Sequence, residues 1–397
     1  MNKRWIVFFV SLVAFFGPFS QTIYVPLIPE VQQHFGSTEL VVNLTISIYT
    51  LVLALMQMVY GPLVDRFGRK KILIPAILIY IVGSIGAALA PSIWPLILFR
   101  AIQASGIAAG SVVATTVIGD LFEGKMLGRS MGTFQMFVSL GPVLGPVVGG
   151  LIGGYTTFTN VFWFLSFLGI MLLVVNIYFL KETKTKKTTG QRFQIRDFAT
   201  ITSNQIGSAI VLLAFIQYYT YYQFIVFLPH LLQERYLLTA VQTGGVFLFL
   251  TLAVVIGNWS GGRVQEYVSK YKLLLTSTTF TIIATLFYIA IANVSIGWLL
   301  VSISFFGLCM GLSSPVQTTL LVNTFVAKRA TAIGLYNFSR YGGMAAGPII
   351  GTMLYNYRPF AEFYFSAFIY ICVLIFAIQK MNKKDNETTE KIENMNG

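Results

Sequence analysis

The sequence predicts an all-α polytopic membrane protein, with twelve transmembrane helices in two pseudo-symmetric six-helix halves. Three observations carry that expectation. Of the 397 residues, 56% are hydrophobic and only 10% charged, with a mean hydropathy of +0.74. A soluble domain of this length has no use for so much apolar surface. The apolar runs between charged clusters are mostly about 18–25 residues, enough to cross a core of roughly 30 Å at about 1.5 Å per residue. Finally, the polar hinge GPLVDRFGRKK, Gly61 to Lys71, recurs in worn form about 201 residues later as Gly262 to Glu266 followed by Lys270 and Lys272.

The spans are expected near 5–29, 42–61, 72–91, 94–118, 130–152, 160–180, 205–229, 240–260, 272–292, 296–320, 331–353 and 361–380. One long polar connection, 181–204, separates an N-terminal half, 1–180, from a C-terminal half, 205–380. The tail, 381–397, is too polar to bury and is expected to be disordered. The duplication runs deeper than the hinge. Gly106 and Gly110 correspond to Gly307 and Gly311, and Gly141, Gly145 and Gly149 correspond to Gly343, Gly347 and Gly351. A membrane unit duplicated in this way points to a transporter with its path near the bilayer midplane.

The net charge of +13 is topological. All but four of the 27 Lys and Arg fall in segments assigned to the cytoplasm; Arg235 and Arg358 fall in outer loops, Arg100 and Arg340 inside spans. That asymmetry places both termini inside and removes any reason to invoke nucleic acid. The N-terminus, MNKRW, leads into an apolar run without a small-residue cleavage site, so it reads as an uncleaved first span. Cys309 and Cys372 fall within spans and are expected to be buried, unpaired thiols. His34 and His230 lack metal-ligand spacing. The stretch Gly119 to Met126 resembles a phosphate-binding loop, but Met126 stands where Ser or Thr is needed, and Asp120 and Glu123 would repel phosphate. Neither ATP chemistry nor any other enzymatic activity is expected, and no cofactor beyond a proton gradient.

These motifs together resemble the major facilitator superfamily, and within it the twelve-span drug:proton antiporters. Gly61-Pro-Leu-Val-Asp65-Arg66-Phe-Gly68-Arg69-Lys70 is similar to the loop 2–3 signature, Arg100 to Gly106 to the fourth-span motif, and Gly141 to Gly150 to the fifth-span motif of exporters. The resemblance implies that Gly61, Asp65, Arg66, Gly68 and Arg69 form a cytoplasmic conformational latch. On the residues themselves, Gly61 and Gly68 are expected to permit a tight reversal, and Asp65 to face helix N-termini, whose partial positive charge favours a carboxylate. The glycines of the fifth span share one face and allow close helix approach. Pro142 and Pro146 remove backbone hydrogen bonds, suiting a bendable gating helix. Arg100 is implied to take part in proton-linked switching.

Intramembrane charges are costly, roughly 2.5–3.5 kcal/mol or more each. Arg340 lies near the predicted midplane, with Val138 as its counterpart in the first half and no acidic residue expected at its depth. It is a candidate contact for an anionic or zwitterionic cargo, or a partner of tyrosines or carbonyls. Span one lacks the carboxylate that many proton-coupled exporters carry; its nearest acid is Glu30, a second proton-coupling candidate. Tyr218 and Tyr222, with Tyr219, sit too deep for a headgroup belt and are expected at a water-filled cavity. Gln21, Tyr24, Gln103 and Asn337 are further lining candidates; Gln135 and Gln317 are weaker ones.

The expected function is secondary active export of small organic molecules across a bacterial cytoplasmic membrane. Proton antiport and alternating access by a monomer are expected, the partners being cargo, protons and the lipid bilayer. A dedicated metabolite exporter, for instance of a siderophore, is the alternative. An uptake symporter or a non-transporting receptor stand behind it.

Overall fold

The computed structural model describes residues 3–183, 196–238, 240–355, 357–358 and 360–396. The side chains of His230 and of 382–396, and the loop around Gln191, lie outside the described set. Among the described residues there is no strand. The helices are α1 (Lys3–Thr22), α2 (Ile28–Phe35), α3 (Glu39–Phe67), α4 (Arg69–Ala88), α5 (Ile93–Ile107), α6 (Ala109–Leu121), α7 (Gly124–Tyr155), α8 (Phe158–Phe179), α9 (Arg196–Ser203), α10 (Gln205–Glu234), α11 (Ala240–Val264), α12 (Lys270–Ile291), α13 (Ile296–Thr324), α14 (Arg329–Tyr355) and α15 (Ala361–Asn396). Among the described residues, eleven stretches are long and apolar enough to cross a membrane, the first combining α1 and α2 and the fourth α5 and α6. Helix α14, at 27 residues, is long enough but more polar, because it carries Asn337 and Arg340. Leu51, Leu98, Leu151, Phe167 and Phe368 are each more than half exposed, as side chains facing lipid must be.

The chain divides into two compact units, Met1–Gln194 with Val326–Phe338, and Ile195–Phe325 with Ser339–Gly397. The segment 326–338 belongs with the first unit although it follows the tenth span in sequence. Its reason appears below: the first turn of α14 is held by two carboxylates of the first unit.

Four expectations change. Gly61 does not make the reversal; it lies inside α3, where an added Cβ would meet the Ala330 carbonyl oxygen at 2.8 Å and the Thr331 Cα at 2.9 Å. The reversal is at Gly68 alone, with φ 103°, a conformation that L side chains avoid. The polar connection contains the short helix α9, followed by Asn204, whose Oδ1 accepts from the Ile206 and Gly207 amides at 3.0 and 3.1 Å and so starts α10. The tail expected to be disordered continues α15 as helical backbone to Asn396. A helix already nucleated by the span before it extends at little further cost. Of the two thiols only Cys309 is buried; Cys372 is exposed on the lipid-facing side of α15.

The two glycine ladders do equivalent work. Along α7, a Cβ on Gly141 would lie 2.9 Å from the Phe19 nitrogen, one on Gly145 2.9 Å from the Ile23 nitrogen, and one on Gly149 would collide with the Ile23 carbonyl. Along α14, Gly343 meets the Phe215 carbonyl and Gly347 the Tyr219 carbonyl at 2.8 Å. So α7 lies on α1 as α14 lies on α10. Gly150, by contrast, has nothing within 4 Å. Gly149→Ala is therefore expected to destabilise by about 1–3 kcal/mol through overpacking against backbone. Gly150→Ala should be neutral or slightly stabilising, since alanine is the better helix former. Thermal denaturation of the two purified variants checks the contrast.

The other duplicated glycines have diverged in use. Gly106 abuts Tyr80 of α4 and Gly110 abuts Val13 of α1, whereas Gly307 and Gly311 both abut α11, at Leu250 and Val254. Gly257 and Gly261 explain the difference. They let α11 reach the backbone of α13 at Leu308 and Leu312, and their first-half counterparts are the bulky Met56 and Tyr60.

Candidate functional site

Three constellations hold the chemistry. The first is built around the α3–α4 turn. Because Gly68 has no side chain, the Glu182 carboxylate fits against it and accepts from the Arg69 and Lys70 amides at 3.0 and 3.1 Å, capping α4. Lys70 Nζ donates to the Ile177 carbonyl at 2.6 Å. Asp65, on the last turn of α3, accepts from the Ala330 amide at 3.2 Å, the Thr331 amide at 2.9 Å and the Thr331 hydroxyl at 2.8 Å. It thereby caps α14, where the helix dipole favours its charge.

Asp120, at the end of α6, is the hub. Its Oδ2 accepts from Arg69 Nε at 2.8 Å and from the Thr183 hydroxyl at 2.8 Å, and its Oδ1 accepts from Arg329 Nη1 at 2.9 Å. Arg69, Asp120 and Arg329 side chains are 7%, 11% and 14% exposed, so these pairs are weakly screened. Arg66 is exposed, with its guanidinium 4.9 Å from the ring of its neighbour Phe67. In the worn second copy, Arg263 folds back over Trp259 of its own helix at 3.6 Å.

The second constellation surrounds Arg100, fully buried on α5. Its Nη1 donates to the Ser20 carbonyl at 3.0 Å and to Gln103 Oε1 at 2.7 Å. Gln103 Nε2 in turn donates to the Ser84 hydroxyl at 2.7 Å, and the Ser20 and Tyr80 hydroxyls are 2.8 Å apart. Tyr49 and Tyr24 present their rings at 4.2 and 5.4 Å from the guanidinium carbon. A guanidinium held by neutral acceptors and ring faces ties four apolar spans together, the first span with α3, α4 and α5. Tyr24 and Gln103, expected to line a cavity, are consumed here: both are fully buried at the side of Arg100. Gln21 donates to Thr50 Oγ1 at 2.6 Å and Asn337 to Ser111 Oγ at 3.3 Å, so each bridges helices of the first unit. Glu30 accepts from the Phe158 amide at 3.0 Å and caps α8. Among the weaker candidates, Gln317 donates to Gln217 Oε1 at 2.6 Å, joining α13 to α10.

The third lies in the second unit. Arg340 is buried at 6% exposure, with its guanidinium carbon 4.2 Å from the Tyr218 ring. Tyr218, Tyr221 and Tyr222 form an edge-on chain of rings at 6.3 and 5.9 Å, and Tyr222 is only half-buried. Arg340, Tyr218 and Tyr222 are thus brought together.

Sequence reasoning missed Asp120, Glu182, Arg329 and the buried Glu362. Asp120 had a signal, an acid isolated at the inner end of an apolar span, but it was weighed only as part of a false phosphate loop. The partners of Glu182 and Arg329 are distant in sequence and left no local trace.

The Major Facilitator Superfamily model matches residues 10–348 and, overlapping, 295–394. The chain belongs to the Major Facilitator Superfamily. It is accordingly a multi-pass membrane protein of that family. The bacillibactin exporter of Bacillus subtilis is 25% identical over 405 residues, covering 94% of this chain and 95% of that protein. Citrate exporter 1 of Aspergillus niger is 34% identical over 182 residues, 46% of this chain, and the match spans only 35% of the exporter's length. The crystal structure of the human organic anion transporter MFSD10 superposes with a TM-score of 0.83 at 15% identity, covering 95% of this chain and 100% of the other; at that identity it speaks for the fold alone.

Proposed function

We propose that this transporter exports a small anionic or zwitterionic molecule by proton-coupled antiport and alternating access. The membrane on this reading is a bacterial cytoplasmic membrane, with both termini inside and the monomer as the working unit. The observation that carries the cargo class is Arg340, a guanidinium at mid-helix stacked on Tyr218 beside the half-buried Tyr222. A buried charge of this kind marks a substrate or ion path. The direction is supported by the end-to-end likeness to an exporter and by the fifth-span glycine ladder seated on α1. A narrower reading, one dedicated carboxylate-bearing metabolite, is favoured by the 34% identity to a citrate exporter. Comparing metabolites in medium and cells of a deletion strain and its parent tests both. Accumulation of an anionic or zwitterionic metabolite inside the deletion strain is the expected result, and unchanged levels of both classes remove the proposal.

Coupling has its own test. Glu30→Gln removes a charge that caps α8 and stands among the candidate proton carriers. If Glu30 carries protons, cargo flux in proteoliposomes should no longer respond to an imposed pH gradient, while gradient-independent exchange persists. A retained gradient response would leave Glu30 as a helix cap.

A further inference from the structure

We propose that the second unit carries a binding site for a small organic cation, separate from Arg340 and built around Glu362. The site is a cavity of about 260 Å³ where α10, α12 and α14 end and α15 begins, remote from Arg263 and Lys270. It lies some fifteen residues along α14 from Arg340, roughly 22 Å at 1.5 Å per residue.

The carboxylate is the first observation. Glu362 is 1% exposed, yet its Oε2 makes no hydrogen bond among the described residues. An acid in the first turn of α15 suits the helix dipole, but that does not supply a partner for the second oxygen. A buried carboxylate oxygen without one is costly and calls for a cation or donor.

The walls are the second, independent observation. Phe227, Tyr288, Tyr355 and Phe360 face the cavity with Glu362. Tyr288 lies edge-on to Phe360 at 6.0 Å, and Phe227 stacks on Tyr355 at 5.2 Å. Phe360 holds φ 63°, a left-handed conformation that aromatic residues rarely adopt. That strained residue lines the cavity, and strain held in place beside a cavity is a pattern found at ligand clamps.

Ligand class follows from charge and lining. The cavity is lined by two carboxyl groups, Glu234 and Glu362, against the single guanidinium of Arg235, so an anion is disfavoured. The Tyr355 hydroxyl already donates to Glu234 Oε2 at 3.4 Å. Calcium or magnesium needs six or more oxygen ligands, which rings do not offer. Aromatic faces around one carboxylate suit an alkylammonium ion, whose charge is attracted to the rings and whose carbon surface is buried by them.

Choline and its uncharged carbon isostere, 3,3-dimethylbutan-1-ol, are the probes, titrated calorimetrically against the full chain in nanodiscs. Choline is expected to bind, the isostere at least roughly tenfold more weakly, and Glu362→Gln to lose roughly tenfold or more of choline affinity, as loss of a charge-assisted contact implies. Tyr355→Leu, at the half-buried rim, should weaken choline without lowering thermal stability. Equal affinity for the two probes, no choline binding by the wild type, or unchanged choline affinity in a folded Glu362→Gln protein would each overturn the proposal. Should Glu362→Gln fail to fold, the wild-type comparison of choline with its isostere still decides.

Discussion

Asp120→Ala is expected to abolish most transport and to lower thermal stability together. The substitution takes their shared carboxylate from Arg69 and Arg329, two guanidiniums only 7% and 14% exposed. Removing one partner of a buried pair costs roughly 3–5 kcal/mol, because the charge left behind is uncompensated. Partial exposure places this cluster toward the lower end. Even so, each 1.4 kcal/mol or so that shifts a conformational equilibrium is tenfold in population, so flux at matched expression should fall by roughly tenfold or more. The cluster is one unit, and its members will not behave additively. Pairing Asp120→Asn with Arg329→Gln should therefore recover part of the stability lost by Asp120→Asn alone. Melting temperature and proteoliposome flux measured on all four proteins check this. A double variant as unstable as the sum of the singles would reduce the ion pairs to incidental contacts.

Asp65→Asn should be milder in stability and still damaging to flux. An asparagine keeps one acceptor for the Thr331 amide but loses the charge at the α14 N-terminus, worth roughly 0.3–2 kcal/mol.

Elements that repeat locally were legible in the sequence. Apolar runs gave nearly every span, and the four-residue glycine spacing gave the α7 and α14 packing faces before their partners on α1 and α10 were known. What sequence could not show was which side chain spends its polar atoms on a neighbour. Tyr24 and Gln103 read as cavity residues because a polar group in a span needs a partner; the partner proved to be Arg100, buried behind them. Gly61 read as a turn because glycine permits turns, but the missing Cβ is used for the approach of Ala330 and Thr331. Asp120 depends on Arg69, 51 residues earlier, and Arg329, 209 later, so no local pattern could expose it.

Arg340→Ala is expected to weaken binding of a carboxylate-bearing cargo by roughly tenfold or more, the loss of a hydrogen bond to a charged group being about 1.5–3 kcal/mol. Arg340→Lys should recover only part of that. An ammonium supplies the charge but not the planar fork that grips a carboxylate at two points, and it stacks less well on Tyr218. The rival explanation is that Arg340 serves the fold through its ring contact, worth about 0.5–2 kcal/mol. Stability and affinity of Arg340→Ala measured together separate the two, with Tyr218→Phe as the control that keeps the ring face 4.2 Å from the guanidinium carbon. If Arg340 is structural, Arg340→Ala loses thermal stability, Tyr218→Phe does not, and affinity in the surviving protein is unchanged. If it meets the cargo, Arg340→Ala stays folded and loses affinity for anionic ligands, citrate serving as the first probe, while any neutral ligand is unaffected. The wild-type counterpart Val138 favours the second outcome, because the equivalent helix of the first unit, seated on α1 by the same glycine ladder, is built without a charge at that position.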